Sequence, residues 1–312
     1  MEITNVVVAG GGVLGSQIAF QTAYCGFNVT IWLRSEGSIE RAQPKIDRLK
    51  DIYLETMEAM KTNKMAYCRG FSEKTDLSDD EIEGLKVKVE EAYKNIKLTT
   101  SYEEAAKDAD LIIEAIAEDP EQKIAFYTEL AKYMPEKTIL VTNSSTMLPS
   151  TFAEYTGRAE KYLALHFANE IWKNNTAEVM GHPGTKQEYY EEVVKFAENI
   201  NMVPLQLKKE QPGYILNSML VPFLSAAEAL YANEVADPET IDKTWTLATG
   251  APVGPFRILD VVGLTTAYNI VIMNPEAKDP TTTPGKIAAK LKEKIDEGKT
   301  GINAGEGFYK YN

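Results

Sequence analysis

The sequence predicts an α/β fold: a doubly wound, largely parallel sheet with an inserted helical hairpin, followed by an all-helical C-terminal domain. Three observations predict it. Short β-branched runs alternate with helix-period segments from residue 3 to about residue 207. A glycine-rich turn joins the first run to the first helix, and strand signals disappear after about residue 207. Strands and helices that alternate place the strands parallel, with helices on both faces. A chain of 312 residues is long enough to bury two cores.

Each element follows from its residues. "ITNVVVAG" is a β-branched run suited to a strand buried on both faces. It enters "GGGVLGSQIAFQTAYCGF", whose apolar residues Leu14, Ile18, Ala19 and Ala23 recur at helical spacing, and Gly26 closes that helix. "NVTIWL" reads as the second strand. Residues 36–96 are polar and rich in helix formers, with helices over about 40–62 and 79–95, and form the inserted hairpin. Strands resume in "DADLIIEAI", "TILVTNSS", "KYLALHFA", "TAEVMGHPG" and "VPLQLKK", with helices in "EDPEQKIAFYTELAKYM" and "KQEYYEEVVKFAENIN". The expected division is a dinucleotide-binding domain over 1–207, with its insertion at about 36–96, and a helical substrate and dimerisation domain over 208–312. The latter opens with "PGYILNSMLVPFLSAAEALYANEV", a long helix expected to kink at Pro222. Its apolar residues cover more than one stripe, which predicts burial on two sides, the second against a partner subunit.

The formal charge of −13 argues against nucleic acid or an anionic membrane surface as a partner, since both require a basic face. No apolar run reaches the ~18 residues of a membrane span, and the N-terminus lacks a signal-peptide pattern. Cys25 and Cys68 form no disulfide framework and have no metal-ligand spacing. A reducing, cytoplasmic setting and no metal are expected.

Gly10, Gly12 and Gly15 form G-x-G-x-x-G in the strand–turn–helix context that a Rossmann-type nucleotide site requires. The first glycine permits the tight turn, the second lets backbone approach a pyrophosphate, and the third lets helix and strand pack closely. Val13 and Leu14, inside the motif, belong to the same expected site. An acidic residue usually ends the second strand to bind the ribose hydroxyls of NAD. Here Leu33 is followed by Arg34 and Ser35. A guanidinium beside a hydroxyl suits a 2′-phosphate, so NAD(P) is expected, with NADPH serving at least as well as NADH. The alternative is that Arg34 is a solvated surface charge.

Ligands of such sheets bind outside the carboxyl ends of the strands. Asn143, Ser144 and Ser145 end one strand there, and His166 ends the next. Glu178 falls in the following strand, where it can lie beside the imidazole. A base with an orienting carboxylate suits proton transfer to or from an alcohol while hydride moves to or from a nicotinamide. A core histidine satisfied by a backbone carbonyl is the alternative for His166; for His182, in "GHPGT", a surface or packing role is expected.

"VVVAGGGVLGSQIA", "DLIIEAIAE", "TNSST", "LHFAN" with Glu178 beyond it, "QPGYILN", "GAPVGPFRILDVVGL" and "GEGFYKY" occur in that order along the chain. Through these motifs the chain resembles the L-3-hydroxyacyl-CoA dehydrogenase family from end to end. It is especially similar to the diketoreductase-like members, which reduce 3,5-diketo esters without a CoA carrier; "NNTAEVMG" and "TTAYNI" add to that nearer likeness. The resemblance implies that His166 is the general acid/base and that Glu178 fixes its tautomer. It implies that Ser145 hydrogen-bonds the substrate oxygen and that Asn217 helps position substrate and nicotinamide. It also places Glu118 and Lys123 beside the dinucleotide. By residue type alone, Ser145 could equally be a helix cap and Asn217 a helical polar residue.

Two departures bear on the substrate. The family's "HFFNP" is "HFANE" here, with Ala168 and Glu170. In the hairpin, Lys45, Arg48, Lys50, Lys61 and Lys64 could grip CoA phosphates, but Asp47, Asp51, Glu55 and Glu58 are interleaved with them, as on a solvated face. The expected function is 3-hydroxyacyl/3-ketoacyl interconversion, most simply on a short acyl-CoA. A reductase of non-CoA 3-keto or 3,5-diketo compounds is the alternative, and a non-catalytic crystallin-like or sensing protein is a third reading that the His166–Glu178 pair opposes.

Overall fold

The computed structural model describes residues 2–311 and divides into two compact units, residues 1–215 and 216–312. The first is an eight-stranded sheet in the order β3-β2-β1-β4-β5-β6-β7-β8. In chain order it comprises β1 (Asn5–Ala9), α1 (Val13–Tyr24), β2 (Asn28–Trp32), α2 (Glu36–Met60), α3 (Asp79–Asn95), β3 (Lys97–Thr99) and α4 (Tyr102–Ala106). Then come β4 (Leu111–Glu114), α5 (Pro120–Leu130), β5 (Ile139–Thr142), β6 (Tyr162–Phe167), β7 (Thr176–Gly181), α6 (Gln187–Asn199) and β8 (Val203–Leu207). All neighbours are parallel except β6 and β7.

Alternate side chains of a strand face opposite sides, and β1 shows the consequence. Val6 and Val8 join one core with Phe20, Tyr53 and Phe196, whereas Val7 and Ala9 join another with Phe126, Tyr127 and Tyr162. The sheet is therefore covered on both faces, and every residue of β4 and β5 is buried.

Two short elements escape sequence reading. β3 has three residues and α4 has five, too few to show a period. The hairpin is α2 packed on α3, with α3 opened by a capping box between Ser78 and Glu81. Three of its lysines are engaged within the hairpin: Lys61 lies 2.6 Å from Glu83 and 2.9 Å from Glu58, Lys50 lies 3.2 Å from Glu90, and Lys86 pairs with Glu58 and Glu83.

The second unit contains α7 (Leu216–Ala232), α8 (Pro238–Thr249), α9 (Pro255–Val262), α10 (Leu264–Val271) and α11 (Thr283–Asp296) around Leu224, Phe256, Leu259, Leu264 and Leu291. Two buried aspartates organise it. Asp242 accepts the amides of Phe256 and Arg257 at the start of α9 (2.8 and 3.1 Å). Asp260 accepts those of Phe308 and Tyr309 (2.7 and 2.9 Å) and the Tyr311 hydroxyl (2.8 Å). "GEGFYKY" is thus a structural clasp, and a Cβ at Gly307 would meet the Asp260 carboxylate at 2.1 Å.

The division between units falls at 215/216 rather than at the expected 207/208. Tyr214 is fully buried and its hydroxyl donates to the Ser144 carbonyl (2.7 Å), which ties this segment to the first unit. The expected helix from residue 212 starts only at Leu216 because Gly213 and Tyr214 adopt left-handed conformations (φ 76° and 54°). Within the single chain this helix keeps Met219 63% exposed and Leu230 43% exposed.

Candidate active site

The switch in strand order between β1 and β4 opens a crevice at their carboxyl ends, where open α/β sheets take ligands. The glycine turn lies there. Gly10 has φ 125°, and a Cβ on it would lie 2.3 Å from the Ala115 carbonyl oxygen; one on Gly15 would lie 2.2 Å from the Gly10 oxygen. A Cβ on Gly12 would meet nothing. Gly12 is the N-cap of α1 and makes no side-chain cap hydrogen bond. The helix start is thus bare, close-packed from behind and open in front, which fits a pyrophosphate. Val13 is exposed on the first turn and Leu14 is half-buried. Gly11, which the motif leaves unspecified, is also constrained, because a Cβ there would strike Ala42 and Leu33.

A cavity of about 580 Å³ extends from this turn over Leu33 and Arg34 to α2. Arg34 donates to Gln122 Oε1 (3.3 Å). The Ser35 and Ser38 hydroxyls are 3.0 Å apart, and Arg41 donates to Ser38 Oγ (2.9 Å). Lys45 reaches the carbonyls of Gly11 (3.2 Å) and Arg41 (2.8 Å). Three cations thus line the cavity and, among the described residues, no carboxylate does. Arg41 and Lys45 were missed as cofactor candidates because, within the hairpin, their charges look like part of a solvated helix face.

The proton-handling pair is set by register. His166 on β6 sits directly opposite Glu178 on the antiparallel β7. Imidazole Nδ1 lies 3.0 Å from Glu178 Oε2, and Glu178 Oε1 accepts the Ile215 amide (2.9 Å). A carboxylate at Nδ1 holds the proton there and leaves Nε2 free to exchange one. Nε2 lies 3.1 Å from Ser145 Oγ. Tyr214 lies parallel on the imidazole face, with centroids 4.4 Å apart at 14°. Burial raises the Tyr214 phenol far above its ordinary range, with Glu118 and Glu178 adding to the effect.

Glu118 accepts from Ser144 Oγ (2.8 Å) and from the Ser145 amide (2.7 Å), so it grips both serines. Asn143 Oδ1 accepts the Phe167 amide (3.0 Å) and links β5 to β6. Lys123 is almost fully buried, 2.6 Å from Glu114 and 3.8 Å from Glu118. Glu114, unmarked by sequence reading, is fully buried and also accepts from Tyr127 (2.6 Å), Thr142 (2.7 Å) and the Ile116 amide (2.9 Å). Asn217 belongs to the second unit, in the first turn of α7. His182 is held in a turn by the Gly184 amide and the Ala159 carbonyl, with both ring nitrogens engaged.

A dinucleotide-type turn at a sheet switch point, with a carboxylate-steered histidine on the same edge, defines the class: a nicotinamide-dependent oxidoreductase. The model of the 3-hydroxyacyl-CoA dehydrogenase NAD-binding domain matches residues 5–211, and that of the family's C-terminal domain matches residues 213–311. The chain belongs to the 3-hydroxyacyl-CoA dehydrogenase family. The human mitochondrial hydroxyacyl-coenzyme A dehydrogenase is 31% identical over 311 residues, covering 99% of this chain and 91% of the relative. The 3-hydroxybutyryl-CoA dehydrogenase of Clostridioides difficile is 29% identical over 309 residues, with 99% of each covered. A solved diketoreductase structure, described as acting in substrate-directed dual catalysis of dicarbonyl compounds, is 47% identical, with a TM-score of 0.85 and both chains fully covered.

Proposed function

We propose that the protein interconverts a 3-hydroxyacyl and a 3-ketoacyl group, with His166 moving the proton and Glu178 steering it. The observation that carries this is the pair itself: Nδ1 is held by a carboxylate while Nε2 faces the Ser145 hydroxyl. A nicotinamide dinucleotide bound with its pyrophosphate at the glycine turn would supply or accept the hydride at the 3-carbon. In the reductive sense, protonated His166 delivers its Nε2 proton to the emerging alkoxide, Ser145 hydrogen-bonds that oxygen, and Glu178 stabilises the imidazolium. Gly10, Gly12, Val13, Leu14 and Gly15 receive the dinucleotide, with Asn143, Glu118 and Lys123 around its nicotinamide end.

An acyl-CoA is the first substrate reading, in line with the named relatives. A non-CoA 3-keto or 3,5-diketo compound is the second. It is favoured by Lys50 and Lys61 already engaged with glutamates and by the likeness to the diketoreductase. NADPH serves at least as well as NADH in this reading, supported by Arg34, Arg41 and Lys45 beside the hydroxyls of Ser35 and Ser38. Homodimerisation through the second unit is supported by the exposed Met219, Leu230 and Leu247. Both cysteines are free, which suits a reducing compartment, the cytoplasm in this reading. Among the described residues, no helix is long and apolar enough to cross a membrane.

One set of assays tests the proposal. Acetoacetyl-CoA and a 3,5-diketo ester are offered with NADPH and with NADH, and light scattering gives the mass. His166→Ala is expected to lose about 10²- to 10⁴-fold in kcat. Undiminished turnover by that variant refutes the mechanism, a strong NADH preference refutes the cofactor assignment, and a monomer in solution refutes the dimer.

A further inference from the structure

We infer that Tyr214 is a positioning residue for the His166–Glu178 pair, and that residues 213–215 form a clasp over the imidazole. The inference rests on the acid–base reading above and concerns what makes that pair rigid. Two consecutive residues reach every part of it. The Tyr214 ring lies on the imidazole face at 4.4 Å and 14°, and its hydroxyl donates to the Ser144 carbonyl (2.7 Å). The next amide, of Ile215, donates to Glu178 Oε1 (2.9 Å), the oxygen that does not hold Nδ1. The imidazole is thereby fixed at one edge by Glu178, at the other by Ser145 and on one face by Tyr214.

The backbone carries the same message. Tyr214 has φ 54°, a region that bulky residues avoid and glycine occupies freely. Glycine there would spare the strain, but it would supply neither ring nor hydroxyl. Strain of this kind persists only where surrounding contacts over-determine it. Here they do: the ring is fully buried and its hydroxyl is bonded.

The clasp acts on two separable quantities. The phenol and Glu118 grip the Ser144–Ser145 segment from two directions, so the hydroxyl bond to Ser144 sets where the Ser145 side chain meets substrate. The ring lies flat on the imidazole and fixes its plane, and with it the direction in which Nε2 points. The groups facing this centre are Glu178 on β7, Glu118 on the loop between β4 and α5, and Ser145 after β5, with Glu114 and Lys123 in the network behind.

Tyr214→Phe keeps the ring and removes the tie; Tyr214→Leu removes the π face. Steady-state reduction of the substrate identified above, from about pH 5 to about pH 9, separates the two roles. The Phe variant is expected to raise KM by about 3- to 10-fold with the pH profile of kcat unchanged, as befits a lost positioning bond. The Leu variant is expected to lose about 10-fold or more in kcat while KM moves less than about 3-fold, as befits a proton donor that is no longer held in line. Folding of each variant is checked by circular dichroism, and the Phe variant suffices if the Leu variant does not fold. A folded Phe variant with unchanged KM, or a folded Leu variant with unchanged kcat, overturns the inference. His166→Ala, assayed alongside, tells the failures apart: if it is inactive the acid–base reading stands and only the clasp falls, whereas if it is active that reading falls first.

Discussion

Glu178 accepts from the imidazole at Nδ1 with one oxygen and from the Ile215 amide with the other. An amide side chain in its place could still accept from Nδ1, but it would carry no charge to stabilise the imidazolium formed on oxidation of an alcohol. Glu178→Gln is therefore expected to lower kcat by about 10²-fold while KM moves less than about 3-fold, as read from steady-state kinetics. Equal kcat values for the two proteins would show that the charge does not matter. His166 and Glu178 were legible in the sequence because the chain has only two histidines and one ends an apolar run at a strand edge. Tyr214 and Glu114 were not, because an aromatic in a glycine turn and a carboxylate closing an apolar strand look ordinary until their partners are known.

Among the elements, the turn between β1 and α1 carries the strictest steric demand. A methyl group on Gly15 would sit 2.2 Å from the Gly10 carbonyl oxygen, a rigid backbone atom, so α1 must move away from β1 to admit it. Gly15→Ala is expected to cost about 1–3 kcal/mol of stability, seen in denaturant melts, and to weaken dinucleotide binding about 10-fold by titration calorimetry. Unaltered binding and melting would mean that the close approach is not needed. The motif announced this turn because its spacing encodes local geometry. The three-residue β3 was not announced, since its place at the sheet edge comes from pairing with β2 rather than from any pattern of its own.

Across the whole molecule, Glu228 on α7 stands out. It is 4% exposed, its Oε1 has no hydrogen-bond partner among the described residues, and burial pushes its carboxyl up to about 7. An unfolded glutamate titrates near about 4.3. Between those values the folded chain keeps a proton that the unfolded chain has released. Stability therefore falls as pH rises from about 4.3 through about 7, by up to about 3 kcal/mol, and the full penalty persists above. Glu228→Gln should flatten that dependence and melt higher than the unsubstituted protein at about pH 8, with little difference at about pH 5. Parallel melting curves at both pH values would place the carboxyl in a better solvated setting than its burial implies.

By itself the sequence determined the run of strands and helices, the nucleotide turn, the helical character of the second unit and the residue types of the acid–base pair. Each of these is written in periods and spacings within one or two elements. Tertiary structure alone decided the strand order that opens the crevice, the register that sets His166 against Glu178, and the loop that lays Tyr214 on the imidazole. It alone also turned Arg41 and Lys45 of the hairpin toward the nucleotide cavity. The physical reason is range: propensity and periodicity act between near neighbours along the chain. Hydrogen bonds such as Tyr214 to Ser144, separated by 70 residues, depend on how the whole sheet closes.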